Sequence, residues 1–233
     1  MLDPEASARL RRILELLARD PRSLTSVREP EAAWRAHVAD SLTGLEVPEL
    51  RAARAIADVG AGAGFPAFVL ALALPQARVD AIESVARKCE FMELAEREAG
   101  VPNLRVINAR SEEWARTAPP DGGREAYDAV TARAVGRLAT LAELASPLLR
   151  EGGVLVAWKG RRDPEEEVEL ERAQEPTAME LVRVLAVGEQ AGYEHRHLHV
   201  LRKAGPTPER LPRRPGLAKR RPLGRSRRDG RNT

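Results

Sequence analysis

"DVGAGAGFPA", residues 58–67, follows the apolar run Ala55-Ile56-Ala57 and places glycines at positions 60, 62 and 64. The run reads as a short buried strand ending at Asp58, and the glycines as a turn that feeds a helix. Glycines at alternate positions suit a backbone that approaches a ligand closely where a helix N-terminus offers N–H donors. On the C-terminal side, apolar runs recur around 78–83, 104–108, 127–132 and 153–158, separated by helical stretches such as 84–98 and 136–149. That alternation specifies βαβ units and a mostly parallel sheet. The closing runs "LVRVLAV" (181–187) and "HRHLHVLRK" (195–203) flank "GEQAGYE" (188–194), too short for a crossover helix, and so are expected to pair antiparallel. The predicted architecture is α/β, a Rossmann-like seven-stranded mostly parallel sheet.

On the N-terminal side, "ASARLRRILELLARD" sets Leu10, Ile13, Leu14 and Leu17 on one helical stripe, and "EPEAAWRAHVADSL" carries Trp34, Val38 and Leu42. Residues 1–50 are therefore expected to form a helical cap ahead of a domain at 51–204. With 233 residues, 43% of them apolar, the chain suits one full-sized core. The single cysteine, Cys89, excludes an internal disulfide and reads as a packing residue; no secretory or membrane-spanning run is visible, so the expectation is a cytoplasmic protein.

The net charge of +3 conceals an asymmetry, because twelve Lys and Arg but only two acids lie from Arg202 onward. The segment 205–233 is also rich in Pro and Gly, so an extended, largely solvated tail is expected, with a polyanion such as RNA as partner or solubility as its sole role. On that reading its removal weakens RNA binding and leaves cofactor affinity unchanged.

A dinucleotide loop of the G-x-G-x-x-G type needs glycine at position 65, where this chain has Phe65. The spacing instead resembles the first motif of S-adenosylmethionine-dependent methyltransferases. Glu83, at the end of the next strand in "VDAIES", stands where an acid accepts both ribose hydroxyls. A tight structural turn remains the alternative for the glycines alone.

Seven stretches then occur in order: "HVADSL" (37–42), "DVGAGAGFPA", "ESVARKCEFM" (83–92), "NARSEEWA" (108–115), "YDAVTARAVGRLATL" (127–141), "GGVLVAWKG" (152–160) and "RKAGPTPERLPRRPG" (202–216). Together they resemble the bacterial small-subunit rRNA guanine-N7 methyltransferase family, also called glucose-inhibited division protein B. The resemblance implies S-adenosylmethionine as cofactor and N7 of a guanosine in the decoding-region loop of 16S rRNA as acceptor. It implies rRNA or a small-subunit assembly intermediate as partner, no membrane, and a monomer. Carried onto matching positions, it places the cofactor against Gly60, Gly62, Phe65, Glu83, Ser111, Glu112 and Arg133. The chain departs from the family pattern at Ala67, where Phe-Pro is usually followed by Gly, and at Glu83-Ser84, where Asp-Ser is usual.

Because guanine N7 bears a lone pair and no proton, transfer needs alignment more than a base. Arg133, Lys159 and His37 are candidates for gripping guanine O6 or phosphates. Each also has a plainer reading: Arg133 as a surface residue, Lys159 as a solvated strand end, His37 paired with Asp40 three residues on, and Ser111 as a helix N-cap. "DPEEEVELE" (163–171) reads as the exposed start of a helix, and the alternating His195, His197 and His199 as one strand face. A nucleotide-dependent oxidoreductase and a non-catalytic RNA-binding module are the competing functions.

Overall fold

The computed structural model describes residues 2–22, 24–187 and 195–224. Seven strands form one sheet in the order β3-β2-β1-β4-β5-β7-β6. The strands are β1 (Ala55–Val59), β2 (Arg78–Glu83), β3 (Leu104–Asn108), β4 (Tyr127–Arg133), β5 (Leu149–Lys159), β6 (Met179–Val187) and β7 (Arg196–Lys203). β1 lies parallel between β2 and β4, and β7 runs antiparallel to both β5 and β6. The chain thus winds outward in both directions from β1 and β4, and the crevice at their carboxyl ends is where such sheets bind ligands. The linker 188–194 lies outside the described residues.

Helices cover both faces. They are α1 (Pro4–Arg19), the short α2 (Pro30–Ala33), α3 (Asp40–Leu42) and α4 (Pro48–Ala52), then α5 (Ala67–Ala73), α6 (Ala86–Ala99), α7 (Ser111–Trp114), α8 (Leu138–Ala145), α9 (Pro164–Thr177) and α10 (Leu217–Arg220). The predicted second N-terminal helix is present as continuous helical backbone, but its middle, Trp34–Ala39, is wound as π-helix between α2 and α3. Alternation along β5 explains the two cores. Val154, Val156 and Trp158 join Ile56, Phe68 and the α1 residues Leu10 and Ile13 on one face, while Leu155 and Ala157 join Leu138, Leu141 and Leu170 on the other.

Two boundaries differ from expectation. The helix placed at 136–149 is only α8, and β5 begins at Leu149 because Leu149 already pairs with Tyr127; a register shift before Ala129, with Gly152 at φ +79°, absorbs the intervening residues. The tail also departs from the solvated expectation as far as Gly224: Leu211 and Ala218 are 2% and 1% exposed. Its arginine content concealed this, because Arg213 is not solvated but donates to both oxygens of buried Glu143 on α8. The last nine residues, 225–233, lie outside the described residues.

Candidate functional site

The glycine loop joins β1 to α5. Gly60, Gly62 and Gly64 have φ of +67°, +63° and +90°, a region that favours glycine. At Gly60 an added Cβ would meet Val135 Cγ2 at 2.8 Å, so a side chain there would fill the gap between loop and β4–α8 connection. Ala67 is the first residue of α5 with Pro66 preceding it, so the departure from Gly at 67 sits in ordinary helical backbone.

At the end of β2, Glu83 is 6% exposed. Its Oε2 accepts from Gly62 N at 3.0 Å and its Oε1 from Val85 N at 2.9 Å, while Lys88 Nζ lies 3.7 Å away. The carboxylate therefore pins the glycine loop and still presents free lone pairs. One cavity is walled by Val59 and Gly60, by Ile82, Glu83 and Ser84, by residues 109–112, and by Val135, Thr140 and Leu144. Gly216, Ala218 and Lys219 of the C-terminal segment complete the lining. An acid at a strand end, a glycine cradle and apolar walls fit a nucleoside with a ribose diol.

Of the predicted residues, Gly60, Glu83, Ser111 and Glu112 meet in this cavity. Gly62 contributes through its N–H on Glu83. Phe65 is buried beside the loop, its ring 5.0 Å from that of His37 and stacked on it. Arg110, not Ser111, occupies the N-cap position of α7, and Glu113 accepts from Arg110 N at 3.3 Å; Ser111 Oγ instead lies 3.3 Å from Glu112 Oε2.

The three proposed grips are otherwise engaged. Arg133 donates to Ala36 O at 2.9 Å and Asp40 Oδ2 at 2.8 Å. Lys159 donates to Glu166 Oε1 at 2.6 Å and Gly136 O at 3.0 Å, so it is not a solvated strand end. Glu166 also accepts from Leu138 N and is buried, an exception to the exposed acidic start expected for α9. The expected pairing of His37 with Asp40 is replaced: His37 Nε2 meets Thr25 Oγ1 at 3.2 Å, and Asp40 takes both Arg133 and Arg196. The spacing of three could not show this, because both arginines come from strands far along the chain. The histidines of β7 and its approach have separate neighbours in Arg161, Gly160 and Glu167. Cys89 packs with Sγ 3.3 Å from Glu83 O, its thiol pushed upward in pKa by burial.

Two buried groups titrate oppositely. Burial lowers His37 to about 4, helped by Arg133, and burial raises Asp58 to about 7 against its hydrogen bond from Thr131. Unfolding lets His37 take up a proton below about 6.5, so its contribution is present above that pH and lost as pH falls toward 4. Asp58 binds its proton more tightly when folded, so its cost grows as pH rises from about 3.8 to 7. The two slopes offset in the natural chain. His37→Phe should make stability fall with rising pH over this window, and Asp58→Asn should make it rise, each by up to about 1.4 kcal/mol per pH unit. Urea titrations at several pH values measure both; parallel profiles in all three proteins would contradict it.

The strand order, the antiparallel β7 and the ligand crevice after β1 are the architecture of S-adenosylmethionine-dependent methyltransferases. A solved SAM-dependent methyltransferase from Aquifex aeolicus superimposes with TM-score 0.54 at 18% identity, covering 78% of this chain and 97% of that one. The Methanococcus jannaschii fibrillarin pre-rRNA processing protein gives TM-score 0.53 at 19% identity, over 68% and 70%. Within that class, the family profile of rRNA small subunit methyltransferase G matches residues 8–199, and the chain belongs to this family. A ribosomal RNA small subunit methyltransferase G from Rubrobacter xylanophilus is 41% identical over 86% of this chain and 77% of its own length. One from Thermotoga neapolitana is 37% identical over 91% and 89%.

The residues that sequence reasoning missed are Gly216, Ala218 and Lys219, which complete the cavity, and Arg196, the second partner of Asp40. The advance signal for Gly216 was the late "TPERLPRRPG" stretch that carried part of the family resemblance; Ala218 and Lys219 lie just beyond it and had none.

Proposed function

We propose that the protein transfers a methyl group from S-adenosylmethionine to N7 of a guanosine in the decoding-region loop of 16S rRNA. The observation that carries this reading is the convergence of Gly60, Glu83, Ser111 and Glu112 on one cavity at the carboxyl ends of β1, β2 and β3, in a chain of this family. When bound, the cofactor supplies an electrophilic methyl group. Glu83 is placed to accept from the ribose hydroxyls, and the open glycine loop admits the amino acid end. Ser111 and Glu112 would border the adenine, beside the apolar wall of Val59, Ile82, Val135 and Leu144.

No residue needs to remove a proton, since N7 attacks through a lone pair; the chain's task is to hold acceptor and donor in line. His37, its pKa lowered to about 4 by burial, would be a weak base at neutral pH. Arg133 and Lys159 serve as positioning residues: Arg133 fixes the helical cap against the end of β4, and Lys159 fixes β5 to α9. RNA phosphates would be met by the exposed cations Arg214, Lys219, Arg220 and Arg221. No helix among the described residues is long and apolar enough to span a bilayer. A monomer in the cytoplasm is the simplest working form.

Labelled S-adenosylmethionine incubated with the protein and either naked 16S rRNA or small subunits should place label on one guanosine, lost on chemical cleavage at 7-methylguanosine. Under single turnover the rate should lack a unit slope between about pH 6 and 8, where a histidine of ordinary pKa would impose one. His37, lowered to about 4, would be flat there in either case, so His37→Phe tests it directly and should keep most of the rate at about pH 7. Label on another base or another RNA would replace the proposed acceptor, and loss of the single-turnover rate in a folded His37→Phe protein that still binds S-adenosylmethionine would replace the alignment mechanism.

A further inference from the structure

We propose that residues 211–224 form a strap that is part of the cofactor site, with Gly216, Ala218 and Lys219 completing the wall of the cavity that Glu83 also lines. The proposal rests on the reading of that cavity as the S-adenosylmethionine site. Composition pointed to a solvated tail, yet the strap is fastened along its length. Gly216, at φ +77°, donates its N–H to Glu112 Oε1 at 2.7 Å. Thr140 Oγ1 donates to Ala218 O at 3.2 Å, and Arg124 Nη1 to Leu211 O at 3.1 Å.

The main latch is Arg213, whose guanidinium grips Glu143 with two nitrogens and also donates to Arg221 O at 2.7 Å. Glu143 is 3% exposed, and its Oε2 also accepts from Leu223 N at 3.4 Å. A buried carboxylate that receives a fork from the strap and a backbone N–H beyond it holds both ends of α10 against α8. These contacts bear directly on the cavity, because Glu112 is at once a wall residue and the acceptor for Gly216.

The geometry has two consequences for binding. A cofactor seated between Glu83 and Glu112 touches the strap, so strap docking and cofactor binding stabilise each other. Lys219 also lines the neighbouring cavity formed with Gly136, Arg137, Thr140, Glu165, Glu169 and Pro222, so the strap borders both cavities. Among the described residues no ion pair occupies Lys219.

Calorimetry with S-adenosylmethionine and S-adenosylhomocysteine on the full chain, on a chain lacking 225–233, on one lacking 206–233 and on Arg213→Ala tests the proposal without any activity assay. Removal of 225–233 should leave affinity within twofold, removal of 206–233 should weaken it at least tenfold, and Arg213→Ala should weaken it severalfold. Hydrogen exchange of 211–224 should slow when cofactor is added to the full chain. If the full chain binds neither compound, the cofactor reading itself fails. If the full chain binds and folded Arg213→Ala binds equally well, with exchange of 211–224 unaffected by cofactor, the strap is not part of the site. Should the long truncation not fold, Arg213→Ala and the exchange measurement decide alone.

Discussion

Asp40→Ala should lower unfolding free energy by about 3–5 kcal/mol, the cost of removing one partner from a buried ion cluster. Asp40 is fully buried on α3 of the cap. Its Oδ2 accepts from Arg133 Nη1 at 2.8 Å, and Arg196 Nε lies 2.7 Å from Oδ1 at an angle that makes an ion pair and not a hydrogen bond. Arg133 ends β4 and Arg196 begins β7, so one carboxylate fastens the N-terminal helices to two strands of the sheet. The variant leaves two guanidinium groups facing each other with little solvent, their side chains 14% and 22% exposed. Asp40→Asn should cost less, because the amide oxygen can still accept from one arginine. Urea denaturation gives the values directly. In a double-mutant cycle, Asp40→Ala with Arg133→Ala should lose less than the sum of the single changes. A loss below about 1 kcal/mol for Asp40→Ala would show the cluster to be only a surface-strength contact.

The same cluster marks where sequence reading stops. Strand positions were legible because runs such as residues 154–158 are apolar without interruption, as strands buried on both faces are, and a local apolar run needs no knowledge of distant residues. The glycine loop and Glu83 were legible for a related reason: β1, the turn and β2 form one local unit, and the acid follows the glycines at a fixed distance along it. Asp40 meets residues 93 and 156 positions away, which no local pattern encodes. Arg133 and Lys159 were read from their places at strand ends, correctly located there, but their partners Asp40 and Glu166 arrive from other elements. The tail failed for a different reason. Proline, glycine and arginine predict chain without regular structure, and most of 204–224 has none, but irregular chain can still pack when a buried acid such as Glu143 receives its arginine.

Glu83→Ala should weaken S-adenosylmethionine binding by roughly 1.5–3 kcal/mol, about 10- to 150-fold, the range for hydrogen bonds to a charged group. The carboxylate performs two tasks that must be separated. One oxygen holds Gly62 N and the other Val85 N, so its loss also frees the glycine loop. Loosening of the loop alone would lower thermal stability and weaken every ligand of the cavity to a similar degree. Loss of the ribose contact would instead fall on ligands that carry the diol. Comparing S-adenosylhomocysteine with its 2′-deoxy and 3′-deoxy forms by calorimetry resolves the two. The natural protein should prefer the intact diol, and Glu83→Ala should bind all three with nearly equal, reduced affinity. Glu83→Gln retains one acceptor but turns an amide N–H₂ toward Gly62 N or Val85 N, so it should recover little of the difference. A folded Glu83→Ala protein that still prefers the intact diol by the natural margin would mean that Glu83 only braces the loop. Recognition of the ribose would then have to come from elsewhere on the cavity wall.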